Sequence, residues 1–141
     1  GRILDKPMDI HLKFNTGMNR LGFDPKDPAG ILHVLEKIVF LSPVGICTHF
    51  HSGAELRIEG SSADQQNRIF EGILAQFSSV NYVAHAYNSA AITSLYQRRK
   101  GFKFGFRPGL LVYGIDPDEK LSLKPLVSPV MEFKSKIVTV Q

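Results

Sequence analysis

The 141 residues include a single cysteine, Cys47. One cysteine excludes a disulfide framework and predicts a reducing, cytoplasmic setting. No apolar run approaches the roughly 18 residues that would cross a membrane, so no membrane partner is expected. The opening residues, Gly1-Arg2-Ile3-Leu4-Asp5-Lys6, offer neither an initiator methionine nor the apolar core of a signal peptide; they read as a cut edge. Walker-A and dinucleotide glycine motifs are missing, and the Gly101–Gly105 pair has neither the spacing nor the flanks for one. His49 and His51 are close together, but no cysteine or carboxylate cluster has metal-ligand spacing, so no metal is expected. Charge of one sign is also lacking: 17 Lys and Arg stand against 13 Asp and Glu, a net +4. A nucleic-acid footprint would need those cations clustered. They gather once, at Arg98-Arg99-Lys100 with Lys103 and Arg107 following, which reads as a helix end whose cations suit the negative dipole. No nucleic-acid partner is expected.

What is present is an ordinary globular composition, 43% hydrophobic and 21% charged, with room for about one domain. Short apolar strands alternate with longer segments of helical period. Ile10 to Phe14 alternates like a strand. Asp27 to Phe40 carries Ile31, Leu32, Leu35, Ile38 and Val39 at helical spacing, with Asp27-Pro28 as cap and first turn. Pro43 to Phe50 reads as a buried strand. Ser61 or Ser62 to Phe77 is the clearest helix; Ile69, Phe70, Ile73, Leu74 and Phe77 make its apolar face, and Ser62 with Gln65 resembles a capping box. Val80 to Ala86 is a strand, Ser89 to Arg99 a helix ended by Gly101, and Phe104 to Tyr113 a last strand weakened by Pro108. Alternation of this kind predicts parallel βα units. Beyond Tyr113-Gly114, Asp116 to Lys120 is turn-rich, and Leu121 to Gln141 alternates like pure β. Four βα strands do not close an eight-stranded barrel, which takes about 250 residues. The expected architecture is therefore α/β: the second half of a (β/α)8 barrel over residues 1–115, then a linker and the start of a C-terminal β domain over residues 116–141.

Functional groups in parallel α/β folds sit at the C-terminal ends of the strands. Here those ends read Lys13, then Thr48-His49-Phe50-His51, then His85-Ala86-Tyr87-Asn88-Ser89, then Arg107-Pro108-Gly109-Leu110. Each carries a polar or cationic group. Lys13 ends a strand and Arg20 follows seven residues later, beyond a Thr16-Gly17 turn. A lysine and an arginine brought together there repel unless they share an anion: a phosphate, a carboxylate or a modified lysine. Asn88-Ser89 opens a helix, either as an N-cap or as an anion site. Gly109 either punctuates a strand end or lets backbone N–H groups approach a ligand. His49 is either a packed, hydrogen-bonded histidine or a ligand contact, and Cys47 either an inert buried thiol or a nucleophile.

The stretch Lys13-Phe14-Asn15-Thr16-Gly17-Met18-Asn19-Arg20-Leu21-Gly22 resembles the K-x-x-T-G-M-x-R-x-G signature of alanine racemases, enzymes that use pyridoxal 5'-phosphate. Thr48-His49-Phe50 looks like the family's T-H-F strand. His85 to Ala91 resembles H-x-x-N-S-A-A, and Arg107 to Gly114 resembles R-x-G-I-x-L-Y-G. Leu123-Lys124-Pro125 through Pro129 to Ser135 looks like the crossing into the family's C-terminal domain. Asn15 and Tyr87 depart from the commoner Asp and Ala.

The resemblance implies a cytoplasmic homodimeric isomerase that interconverts L- and D-alanine for peptidoglycan precursors. It implies catalytic roles for Lys13, Arg20, His49 and Arg107. Arg107 would face the cofactor's ring nitrogen. Arg20 would meet its phenolic oxygen and the substrate carboxylate. Lys13 matches a lysine that is often carbamylated, and the resulting anion would orient Arg20. His49 would lie by the ring and link Arg107 to a catalytic tyrosine. Asn88, Ser89, Gly109 and Leu110 would hold the cofactor, with the phosphate on Ser89, Gly109 and Leu110, the last two through backbone N–H groups. The lysine that anchors the cofactor and the tyrosine base belong to family segments outside these residues, so the chain alone is expected to be inactive. The alternatives are a racemase of broader amino-acid range, a non-catalytic barrel that carries the cofactor, and an α/β domain with an unrelated ligand.

Overall fold

Helix α2 (Ser62–Gln76) shows why the chain folds as it does. Its residues Phe70, Ile73 and Leu74, with Phe77 just beyond, recur at helical spacing and are almost wholly buried. They face a sheet whose strands offer Leu12, Ile46 and Ala84 at one level. A computed structural model describes residues 6–77, 82–93, 103–118 and 127–140. Around α2 it places β1 (Met8–Lys13), α1 (Pro28–Glu36), β2 (Leu41–Cys47), β3 (Val83–Asn88), α3 (Ser89–Thr93) and β4 (Lys103–Arg107). The four strands are parallel and lie in the order β1-β2-β3-β4. Each step between neighbours crosses through a helix, as parallel pairing requires.

Register separates two faces. Leu12, Ile46, Ala84 and Phe104 share a level and meet the helices. Lys13, Cys47, His85 and Gly105 share the next level, and strand alternation turns them to the opposite face. Two bulges adjust this pattern. One falls where Ile10 pairs with Pro43 but His11 pairs with Gly45; it admits a proline into an inner strand, where a missing N–H would otherwise break the ladder. The other falls between His85 and Tyr87. It keeps Tyr87 in the core against Phe50 and Phe104.

Several boundaries differ from the sequence expectation, each for a local reason. Helix α1 stops at Glu36, not Phe40, because the Phe40 carbonyl already accepts the Met8 N–H at 2.9 Å and so belongs to the β1–β2 edge. Asp27 is its cap, accepting from the Gly30 N–H. The N-cap of α2 is Ser61, which accepts from the Asp64 N–H at 3.1 Å. The Ser62–Gln65 capping box does not form, since Gln65 donates to the Gly60 carbonyl. Strand β2 ends at Cys47, and Thr48 to Phe50 lie in a loop. Strand β4 ends at Arg107, and Leu110–Tyr113 forms a 3-10 turn closed by Gly114 at φ +71°. Residues 127–140 contain no strand. Their alternation is real, but among the described residues no strand pairs with it, and Phe133, Ile137 and Val138 are exposed. Strand β3 is described from Val83. The expected extension of α3 to Arg99 and the cluster Arg98-Arg99-Lys100 lie outside the described residues.

Candidate active site

The loop after β1 is built to present Arg20 beside Lys13. It leaves β1 and crosses back over it: the Asn15 N–H donates to the Phe23 carbonyl at 2.9 Å, and the Phe23 N–H donates to the Lys13 carbonyl at 2.8 Å. Gly22, at φ +128°, makes that crossing possible. A Cβ there would stand 2.7 Å from the Phe14 carbonyl carbon and the Asn15 nitrogen. Inside the loop, the Asn15 Oδ1 accepts from the Gly17 and Asn19 N–H groups, a turn that an amide caps as well as a carboxylate does. The departure from Asp at this position therefore leaves the turn intact. Lys13, Arg20, Thr48 and His49 line one small cleft at the C-terminal edge of β1 and β2.

Arg107 ends β4 and reaches back across the sheet. It donates from Nη2 to the Thr48 carbonyl at 2.6 Å and from Nη1 to the His85 carbonyl at 2.6 Å. Nη1 also donates to the His85 Nδ1. A guanidinium only donates, so His85 Nδ1 must be unprotonated and Nε2 carries the proton. That proton points at the His11 Nδ1, 2.6 Å away. The chain Arg107 to His85 to His11 is thus directional, and it requires a neutral His85. Burial, then the neighbouring Arg107 and His11, pull the His85 pKa down to about 4. Gly45 makes room for it, because a Cβ there would collide with the His11 ring.

The electrostatics of this face are one-sided. Burial, then Arg107, Arg20 and Lys13, hold the His49 pKa below its ordinary value. Burial raises the Cys47 thiol against the pull of Arg107 and Lys13, which matches an inert buried thiol. Burial also lowers Arg107. The partners of this half-buried arginine are carbonyls and a neutral ring, not a carboxylate. Among the described residues no carboxylate lines the Lys13–Arg20–His49 cleft, and with Arg107 nearby three cations there suit an anionic ligand.

At the β3–β4 side, the Ser89 Oγ accepts from the Gly109 N–H at 2.8 Å and the Leu111 N–H at 3.3 Å. A hydroxyl has two acceptor positions and one donor, so the buried Ser89 Oγ keeps its O–H as a donor beyond these two accepted bonds. The space before Gly109 is open, since a Cβ there would meet nothing within 4 Å. Asn88 spends its side chain differently: it donates to the Phe50 carbonyl at 3.0 Å and accepts from the Ala91 N–H at 3.0 Å. It caps α3 and ties it to the loop after β2.

The sheet thus brings Lys13, Arg20, His49 and Arg107 to one edge and Ser89, Gly109 and Leu110 to its β3–β4 end. Arg107 touches the carbonyl before His49, not the His49 ring. Sequence reading alone overlooked His11, and it placed Thr48 and His85 at strand ends without giving them a role. The available signal was parity, because His11 and His85 fall on the Lys13 face of their strands, with a glycine on β2 between them.

The family description "Alanine racemase, N-terminal domain" matches residues 2–117. The alanine racemase of Chlorobaculum tepidum is 34% identical over 136 residues, covering 95% of this chain and 34% of that protein. That of Helicobacter pylori (strain G27) is 33% identical over 145 residues, covering 96% of this chain and 37% of that protein. The chain thus spans about a third of the length of the curated relatives it matches. The Bacillus anthracis alanine racemase solved with bound L-Ala-P superimposes with a TM-score of 0.62 at 30% identity, over 86% of this chain and 31% of that one. An alanine racemase from D-cycloserine-producing Streptomyces lavendulae gives 0.70 at 28% identity, over 85% and 32%. The parallel sheet therefore has the barrel-like α/β fold of these proteins, and the chain belongs to the alanine racemase family.

Proposed function

We propose that residues 1–115 are the second half of the (β/α)8 barrel domain of an alanine racemase, and that residues 116–141 lead into its C-terminal β domain. The observation that carries this reading is the cleft, lined among the described residues by no carboxylate, where the charges of Arg107, Arg20 and Lys13 act together on His49. Ser89, Gly109 and Leu110 fit the phosphate of pyridoxal 5'-phosphate: a hydroxyl with a donor to spare and open space at Gly109, the hydroxyl fixed by the Gly109 and Leu111 N–H groups. When bound, this cofactor supplies the electron sink that makes the alanine Cα proton acidic.

The chain's own residues would bind and orient. Arg107 is held on three acceptors and cannot give up its proton. It would offer the cofactor ring a hydrogen-bond donor and no transferable proton. Arg20 would take the substrate carboxylate. Lys13, once carbamylated, would change from a competing cation into an anion that holds Arg20. His49, kept neutral, would add no charge beside the ring. Asn88 would hold the Ser89 turn in place. Removing a proton from one face of Cα and returning one to the other needs two bases, which this reading assigns to a lysine and a partner-subunit tyrosine outside these residues. A cytoplasmic homodimer that supplies D-alanine for peptidoglycan completes the reading.

The test is a racemase assay of the intact protein that carries these residues, saturated with pyridoxal 5'-phosphate and given L-alanine, L-serine or L-lysine in turn. D-alanine formation that is lost in Arg107→Ala supports the reading. Equal turnover of serine or lysine would point to a broader racemase. Cofactor binding without any racemisation would overturn the enzyme reading in favour of a carrier barrel.

A further inference from the structure

Gln66 lies in the first half of α2, yet its side chain turns away from the apolar core. It is 3% exposed. Its Oε1 accepts the His51 N–H at 2.9 Å. Its Nε2 donates to the His49 carbonyl at 3.1 Å and reaches the Thr16 Oγ1 at 3.5 Å. Its Cγ sits under Gly17, where an added Cβ would stand 3.3 Å away. One amide thus spans two loops: the one that carries Arg20 and the one that carries His49.

The contacts continue inward. The Thr16 and Thr48 hydroxyls are 2.7 Å apart, and the Thr48 Oγ1 donates to the Phe14 carbonyl at 2.9 Å. The Thr48 carbonyl accepts from Arg107. Thr16 and Thr48 are 3% and 1% exposed. A buried amide in a helix is costly unless all its groups are matched, and here each has a partner. A leucine would fill the same space without that demand. The amide's contacts are the backbone of the His49 loop and the Thr16 hydroxyl of the Arg20 loop.

We infer that Gln66 is a positioning residue: through Thr16, the His49 carbonyl and the His51 N–H, it sets the separation of Arg20 and His49 at the mouth of the site. This rests on the racemase reading for its consequence on turnover, but not for its consequence on His49. With Gln66 gone the two loops separate, water reaches His49, and Arg20 swings away from the carboxylate it would hold. Ser89 and Gly109 lie at the other end of the sheet edge and are untouched.

The test uses the intact protein with Gln66→Met, which keeps the length and loses the hydrogen bonds, and Gln66→Glu, which keeps the acceptor for the His51 N–H and loses the donor. In the cofactor-free protein, a histidine NMR titration reads the His49 pKa. In the loaded protein, kcat and KM for L-alanine are separated, and the cofactor's dissociation constant is measured. We expect both variants to melt cooperatively and to bind cofactor within about twofold of wild type. The His49 pKa should rise toward its ordinary value, and KM should rise at least about tenfold with a smaller change in kcat. Unchanged His49 titration and unchanged KM in a folded Gln66→Met would overturn the inference. If Gln66→Met fails to fold, Thr16→Val and Thr16→Ser decide: Val should reproduce the effects and Ser should restore them, and equal behaviour of the two would refute it. A wild-type protein that makes no D-alanine would sink the racemase reading, while the His49 titration still decides the role of Gln66.

Discussion

Replacing Gly22 with alanine should undo the crossing that brings Arg20 back to Lys13. Two costs follow from the geometry. The backbone sits at φ +128°, a region that costs a non-glycine residue about 1–3 kcal/mol. The new Cβ would also lie 2.7 Å from two backbone atoms of Phe14 and Asn15 and 3.0 Å from the Lys13 carbonyl oxygen. Backbone cannot rotate aside as a side chain can. Relief requires the strands to part, which weakens the Asn15–Phe23 and Phe23–Lys13 hydrogen bonds, each worth about 1 kcal/mol net. The total is about 3–5 kcal/mol, a large share of a marginal stability of about 5–15 kcal/mol. Gly72→Ala is the control. Gly72 lies in α2, and a Cβ there meets nothing within 4 Å, so alanine should stabilise by about 0.5–1 kcal/mol through helix propensity. Urea unfolding followed by circular dichroism measures both. A Gly22→Ala midpoint matching wild type would refute the tight crossing. A Gly72→Ala loss as large as that of Gly22→Ala would show that any added methyl is harmful and that the site geometry is not the cause.

Two further outcomes follow from the site. His85 should titrate at about 4 by NMR, against an ordinary value of 6.5; Arg107→Met should raise it, and a wild-type value near 6.5 would contradict the directional chain. The sign for stability follows. Between pH 6.5 and about 4 the unfolded chain takes up a proton that folded His85 refuses, so stability rises with pH across that window and is lost as pH falls through it. Ser89→Ala removes the hydroxyl donor and the acceptor of two N–H groups. It should weaken pyridoxal 5'-phosphate binding by about tenfold or more in a fluorescence titration, and unchanged affinity would remove Ser89 from the phosphate site.

Much of this was legible in the sequence because local signals and the fold agreed. The periodicity of Phe70, Ile73, Leu74 and Phe77 located α2 and its buried face. The pairing of Asp27 with Pro28 located the start of α1. Alternation of strands and helices gave a parallel sheet, and from that the edge where Lys13, Arg20, His49 and Arg107 meet. The strand ends were less legible. Thr48 to Phe50 and Leu110 to Tyr113 are apolar enough for strands, but Arg107 and Ser89 claim their backbone groups. The pairing of His11 with His85 needed the register of three strands and the missing side chain at Gly45. The alternation of Phe133 to Val140 carried a β signal that cannot form a strand without a partner beside it. Gln66 was invisible as anything but a helix residue, because its partners are the Thr16 hydroxyl on one distant loop and the His49 and His51 backbone on another.

The central claim is that these residues form half of a site at which a proton leaves and returns to the alanine Cα. Exchange of the Cα proton of L- and D-alanine in deuterium oxide, followed by NMR, tests it most directly. The measurement compares the 141-residue chain with the intact protein that carries it, both saturated with pyridoxal 5'-phosphate. The account predicts exchange and loss of chirality with the intact protein and none with the chain alone. Exchange by the chain alone, or none by the loaded intact protein, would contradict it.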